Sequence, residues 1–198
     1  QSLESEAIAI LAELSTSQSD RRQPAVFGTD PKSHIIHVDT LRTETMPKIR
    51  ELAEGVLFKQ SHLRPGKTAP DLNVTLTSGE KWSLRDQLGK VVIIQFSFKG
   101  CGPCEAMYPD LRELQVKHHE QLSILSVMAD GKSDDAREAV RNGKLTWNVH
   151  WDGFRGPVAT KWAVQSFPTV YIIDRNGIVA AEALRGERLH KKSDELLP

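Results

Sequence analysis

Val91-Val92-Ile93-Ile94-Gln95-Phe96-Ser97-Phe98-Lys99-Gly100-Cys101-Gly102-Pro103-Cys104 is the stretch whose reading decides the fold. Its first eight residues (91–98) are mostly β-branched or aromatic, the composition of a strand covered on both faces. A strand over 91–98 therefore belongs inside a sheet. Gly100 breaks the run, and Pro103, which fixes φ and lacks an N–H, suits the first turn of a helix. The spacing predicts a helix over 101–119 with Met107, Leu111 and Leu114 on its inner face. Cys101 and Cys104 are the chain's 2 cysteines. They stand one helical turn apart at a strand-to-helix junction.

Downstream, 122–128 reads as a second buried strand. A helix capped by Ser133, with Asp134 and Asp135 in its first turn, ends at Asn142-Gly143. Residues 157–164 read as a short helix and 169–173 as a strand. Asp174-Arg175-Asn176-Gly177 turns into a returning strand over 178–182, and 187–197 reads as a last helix. Upstream, the alternation Leu72-Asn73-Val74-Thr75-Leu76, the turn Ser78-Gly79 and Trp82 predict a small hairpin. Ser83-Leu84-Arg85-Asp86 reads as a capping box opening one helical turn that Gly89 closes. Parallel crossovers are right-handed, so the strand at 91–98 should be central, with those at 122 and 169 beside it. The fold class is α/β, a central mixed sheet flanked by helices.

The chain divides near Arg64-Pro65-Gly66. Residues 1–64 read as a helical N-terminal extension of unassigned role, and 65–198 as the main domain. Leu3, Ala7, Ile10, Leu11 and Leu14 recur at helical spacing, as do Ile49, Leu52, Ala53, Val56 and Leu57. Pro47 suits the first turn of the second helix, with Thr45 as its cap. Residues 15–31 read as a polar loop, and His34-Ile35-Ile36-His37-Val38 as a short strand. Because the sequence opens on Gln1, an export signal or membrane tether upstream is compatible with it.

Composition narrows the functions. The 198 residues are 39% hydrophobic, enough for a sizeable core. Lys+Arg and Asp+Glu each total 26, with no basic stripe, which argues against nucleic acid as a partner. The longest aliphatic run is 91–94, far short of a membrane span. Two cysteines exclude a disulfide-stapled scaffold and a four-cysteine zinc site. His34, His37, His62, His118, His119, His150 and His190 could complete a Cys2His2 set only by long-range convergence. The reading is no metal and no cofactor.

The placement of the two cysteines has a chemical purpose. At a helix N-terminus Cys101 meets unpaired backbone N–H groups, which favour thiolate over thiol. Cys104, on the same helical side, can attack a mixed disulfide formed at Cys101. Gly102 leaves the backbone approachable. An activated attacking sulfur with a resolving sulfur one turn away is what thiol–disulfide exchange requires.

Four stretches, in order, carry a resemblance. They are Pro65-Gly66-Lys67-Thr68-Ala69-Pro70-Asp71; Trp82-Ser83-Leu84-Arg85-Asp86-Gln87-Leu88-Gly89-Lys90-Val91-Val92; Gln95 through Cys104 with Pro109; and Phe167-Pro168-Thr169-Val170-Tyr171-Ile172-Ile173-Asp174-Arg175-Asn176-Gly177. Together they resemble the TlpA/ResA-like branch of thioredoxin-fold proteins, within the redoxin and AhpC/TSA-like superfamily, over 65–186. The resemblance implies a thioredoxin-like sandwich and a thiol–disulfide oxidoreductase of the protein disulfide reductase or isomerase kind. It implies Cys101 as nucleophile, Cys104 as resolving thiol and Pro168 as a cis-proline facing the disulfide. Phe167, Gly102 and Pro103 then join Pro168 in substrate binding. Implied partners are protein thiols and disulfides with an upstream thiol electron donor. The implied compartment is extracytoplasmic, periplasmic or membrane-anchored, in a bacterium.

Three departures from that pattern bear on rate. Gly100 stands where relatives usually place Trp, Gln95 where thioredoxin has a buried carboxylate, and Met107 where many relatives have Glu. Both usual proton acceptors are missing, which leaves water, Lys99, Glu105 or Asp152 to deprotonate Cys104. Lys99 and Gln95 are the candidate modulators. A peroxiredoxin-like peroxidase is a weaker alternative, because Phe98 stands where those enzymes resemble one another in a Thr. A copper-binding chaperone on this fold is another, but no histidine lies at a suitable spacing.

Overall fold

Val91–Ser97 forms strand β3, buried along its whole length. Successive strand residues point to opposite faces, so one strand feeds two cores. Val91 and Ile93 share a core with Leu111 and Leu114, while Val92, Ile94 and Phe96 share another with Trp82, Trp162 and Tyr171. The computed structural model describes residues 46–197. The readings made for 1–45, including the helix over 3–14, the strand at 34–38 and the Thr45 cap, lie outside the described residues.

Helix α1 is Met46–His62, followed by a two-stranded antiparallel hairpin of β1 (Asn73–Thr75) and β2 (Lys81–Ser83). After β3 come α2 (Gly102–Glu105), α3 (Tyr108–Lys117), β4 (Leu122–Met128), α4 (Ser133–Arg141) and β5 (Asn148–Trp151). Then follow α5 (Pro157–Lys161), β6 (Thr169–Ile173), β7 (Val179–Glu182) and α6 (Glu187–Leu196). The main sheet runs β5-β4-β3-β6-β7, with β3 central between β4 and β6 as the crossover rule requires. Strands β3, β4 and β5 are parallel, and β6 and β7 run antiparallel to their neighbours.

Four local readings need correction. The continuous helix over 101–119 is two helices separated by Ala106 and Met107. Pro109 is the cause: its nitrogen carries no hydrogen for the Glu105 carbonyl, so the ladder stops and α3 restarts with proline in its first turn. Met107, Leu111 and Leu114 still face inward, each at most 3% exposed. Ser133 lies inside α4 instead of capping it, and its Oγ accepts from the Arg137 guanidinium at 3.3 Å. The capping box at Ser83 is a 3-10 turn, Arg85–Gln87, without a side-chain cap. Ser83 is committed to β2, paired with Asn73. Finally, 148–151 forms a strand that its sequence pattern does not reveal: its four residues bury only Val149 fully, too little alternation to register as a strand.

Candidate active site

Parallel pairing puts the carboxyl ends of β3, β4 and β5 at one edge of the sheet, where ligands of open α/β folds collect. Antiparallel β6 brings its amino end to the same edge. The register pairs Phe96 with Thr169, so Phe167 and Pro168 lie beside the residues that leave β3. The Phe167–Pro168 peptide is cis. Pro168 is buried, and its carbonyl accepts from Arg185 at 3.3 Å. The Phe98 and Phe167 rings meet edge to face, centroids 5.3 Å apart, joining the cysteine turn to the proline turn.

Cys101 and Cys104 are joined in a disulfide, their Cα atoms 5.2 Å apart. The turn before them closes by Cys101 N–H donating to Phe98 O at 3.2 Å. Gly100 takes φ +81° there, in the left-handed region where glycine is at ease and a tryptophan would be strained. Cys101 is 5% exposed and Cys104 0%, so the first cysteine is the more accessible. Gly102 and Pro103 are exposed on the outer side of the same turn.

Beneath the disulfide the polar groups are already committed. Gln95 is fully buried; its Nε2 donates to Cys104 O at 3.3 Å, and its Oε1 accepts from Ser126 Oγ at 3.2 Å. Ser126 Oγ in turn accepts the Trp147 indole at 2.8 Å. Gln95 thus braces α2 against β4. Met107 Sδ lies 3.9 Å from the same Nε2. Glu105 caps Gly100 N–H at 3.1 Å and pairs with Lys144 at 2.6 Å, and the Lys144 hydrogen bond holds its carboxyl below the ordinary range. Asp152 receives Val158 N–H at 3.0 Å and Ala159 N–H at 2.8 Å, opening α5. Lys99 Nζ reaches Asp135 at 2.8 Å and Glu138 at 2.9 Å, bonds that keep it protonated. Lys99, Glu105 and Asp152 are therefore engaged away from Cys104.

One group at this edge escaped the sequence reading. Asp130, two residues past β4, accepts Lys99 N–H on Oδ1 at 2.6 Å. Burial pushes its carboxyl above the ordinary range. The only signal in the sequence was its position, directly after a buried strand and before Gly131.

The family described as AhpC/TSA matches residues 65–182, more than half of the chain. The chain belongs to the AhpC/TSA family. Within it, thiol-disulfide oxidoreductase ResA of Bacillus thuringiensis subsp. konkukian (strain 97-27) is 31% identical over 147 residues, 74% of this chain and 84% of that protein. Thioredoxin-like protein YneN of Bacillus subtilis (strain 168) is 30% identical over 124 residues, 61% of this chain and 72% of that one. The thioredoxin domain of a thiol-disulfide oxidoreductase from Bacteroides vulgatus superposes with a TM-score of 0.62 at 25% identity, covering 68% of this chain and 99% of that domain. This AhpC/TSA protein is a TlpA/ResA-like redoxin with a thioredoxin-like fold, and a thiol–disulfide oxidoreductase. Among the described residues no cluster of three His, Cys, Asp or Glu side chains could hold a metal ion. No helix among them is long and apolar enough to cross a membrane.

Proposed function

We propose that this protein exchanges disulfides with the cysteines of other proteins, with Cys101 as nucleophile and Cys104 as resolving thiol. The observation that carries this is the pair of bonded sulfurs at the carboxyl edge of β3, with the more accessible cysteine first. In the reductive direction the Cys101 thiolate attacks one sulfur of a substrate disulfide. That S–S bond breaks, and the released substrate thiolate takes a proton from water. Cys104 loses its proton, attacks Cys101 Sγ and releases the second substrate sulfur as a thiolate. The protein now holds the disulfide, and an upstream dithiol donor reduces it by the same two exchanges. Run backwards, the sequence oxidises a substrate dithiol.

Exposed Gly102 and Pro103 on one side, and half-buried Phe167 with Pro168 beneath it on the other, form the surface that the substrate chain meets. Lys99 and Gln95 modulate the pair, Lys99 through its backbone N–H, held in the turn before Cys101, and Gln95 by fixing the Cys104 carbonyl. The extracytoplasmic setting, with a membrane tether as one form of it, rests on the TlpA/ResA-like resemblance.

The peroxidase reading meets Phe98, whose ring packs edge to face with Phe167 where a hydroxyl would be needed. Two assays separate the readings. With dithiothreitol as donor, the protein should catalyse reduction of a model protein disulfide and consume hydrogen peroxide no faster than free thiols. Rapid peroxide consumption without disulfide exchange would overturn the assignment.

A further inference from the structure

Asp130 is an ionisable group built into the redox centre that the exchange steps do not use. It is 6% exposed. Its Oδ1 accepts Lys99 N–H at 2.6 Å, and its backbone carbonyl accepts the Trp151 indole at 2.7 Å, so side chain and main chain are both pinned. Its Oδ2 is buried and has no hydrogen-bond partner. A carboxylate in that state takes up a proton more readily than an exposed one, and more readily still when a further negative charge arises nearby. The titratable groups facing it are Lys99 from the turn after β3, Tyr108 from α3 and Asp135 from α4. The Lys99 ammonium is held by Asp135 and Glu138, and the Tyr108 hydroxyl meets Ser97 Oγ at 3.1 Å.

The amide gripped by Oδ1 lies two residues before Cys101, in the turn closed by Cys101 N–H on Phe98 O. Asp130 is thus joined to the cysteine turn through the Lys99 N–H. We infer that Asp130 is a positioning residue and proton store for the redox centre: it fixes the Lys99-Gly100-Cys101 turn and binds a proton when reduction leaves a thiolate on Cys101. The inference rests on the thiol–disulfide reading above.

A dithiol donor gives two electrons to the Cys101–Cys104 bond, its own sulfurs join, and its two protons are released. One goes to Cys104 Sγ and the other to Asp130 Oδ2, while Cys101 remains a thiolate. Without Asp130 the second proton enters water.

The test is the equilibrium constant for reduction by dithiothreitol, followed across about pH 5 to 8. Where Cys101 is ionised, the unaltered protein should show a constant nearly independent of pH, since no proton is released overall. Asp130→Asn keeps an oxygen for the Lys99 amide but cannot bind the proton. Its constant should rise about tenfold per pH unit. The same pH dependence in both proteins overturns the inference. A readout without any variant is the reduced-minus-oxidised infrared spectrum of protein carrying carbon-13 aspartate. A protonated-carboxyl band should appear on reduction, and its absence overturns the inference even if the variant does not fold. Failure of Cys101 and Cys104 to equilibrate with dithiothreitol at all would bring down the thiol-exchange reading and this inference with it. Equal slopes in a pair that does equilibrate strike the inference alone.

Discussion

Cys101→Ser reduces disulfide exchange to the rate of free thiols in buffer, whereas Cys104→Ser halts it at a stable mixed disulfide with the substrate. The asymmetry follows from placement. Cys101 sits at the mouth of the turn, 5% exposed, while Cys104 is 0% exposed with Gln95 on its carbonyl. A bulky protein disulfide can reach the first sulfur and not the second. Once Cys101 is linked to substrate, the sulfur one turn along is the resolving nucleophile, and removing it leaves the adduct trapped. Mass spectrometry under non-reducing conditions reads the adduct directly. Adducts on Cys101→Ser and none on Cys104→Ser would reverse the two roles.

The resolving step of the unaltered protein quickens about tenfold per pH unit until Cys104 itself ionises, because the attacking species is the thiolate and the residues packed on Cys104 supply no base to make it. Gln95 cannot accept a proton, Met107 cannot, and Glu105 is bound by Lys144 and Gly100. Met107→Glu supplies the missing base. It places a carboxylate near Gln95 Nε2, which now lies 3.9 Å from the Met107 sulfur. Stopped-flow resolution of a mixed disulfide should then vary little over about pH 6 to 8 and be faster near neutrality. Met107 is 3% exposed, so the new charge should lower stability by about 1–3 kcal/mol, measured by thermal unfolding alongside. Rapid, pH-independent resolution before any substitution would show that a base is already present.

The central strand and the cysteine turn were legible because their signals are local. The apolar run ending at Phe98 dictates burial on both faces, and Gly-Pro between two cysteines dictates a turn into a helix. The central place of β3 followed from handedness alone. Pro109 also stood in plain view, and its missing hydrogen should have divided the helix at Met107. Other features depend on partners distant in sequence. Ser133 could cap or pair, and Arg137 one turn along decided for pairing. Strand β5 becomes a strand through its pairing with β4, where Ser126 meets Val149. Asp130 belongs to the site only because the end of β4 lies against the Lys99 amide, 31 positions away. The contact of Phe98 with Phe167 is of the same kind: each ring is visible in sequence, their meeting only in the fold.

The central claim is that Cys101 and Cys104 form one reversible redox couple. Its most direct measurement is to equilibrate the protein in graded dithiothreitol buffers, trap the thiols with an alkylating reagent and weigh the intact chain. Two alkyl groups should appear together across a single transition, with no singly modified species accumulating. Both cysteines freely alkylated under oxidising conditions, or one modified without the other, would contradict the account.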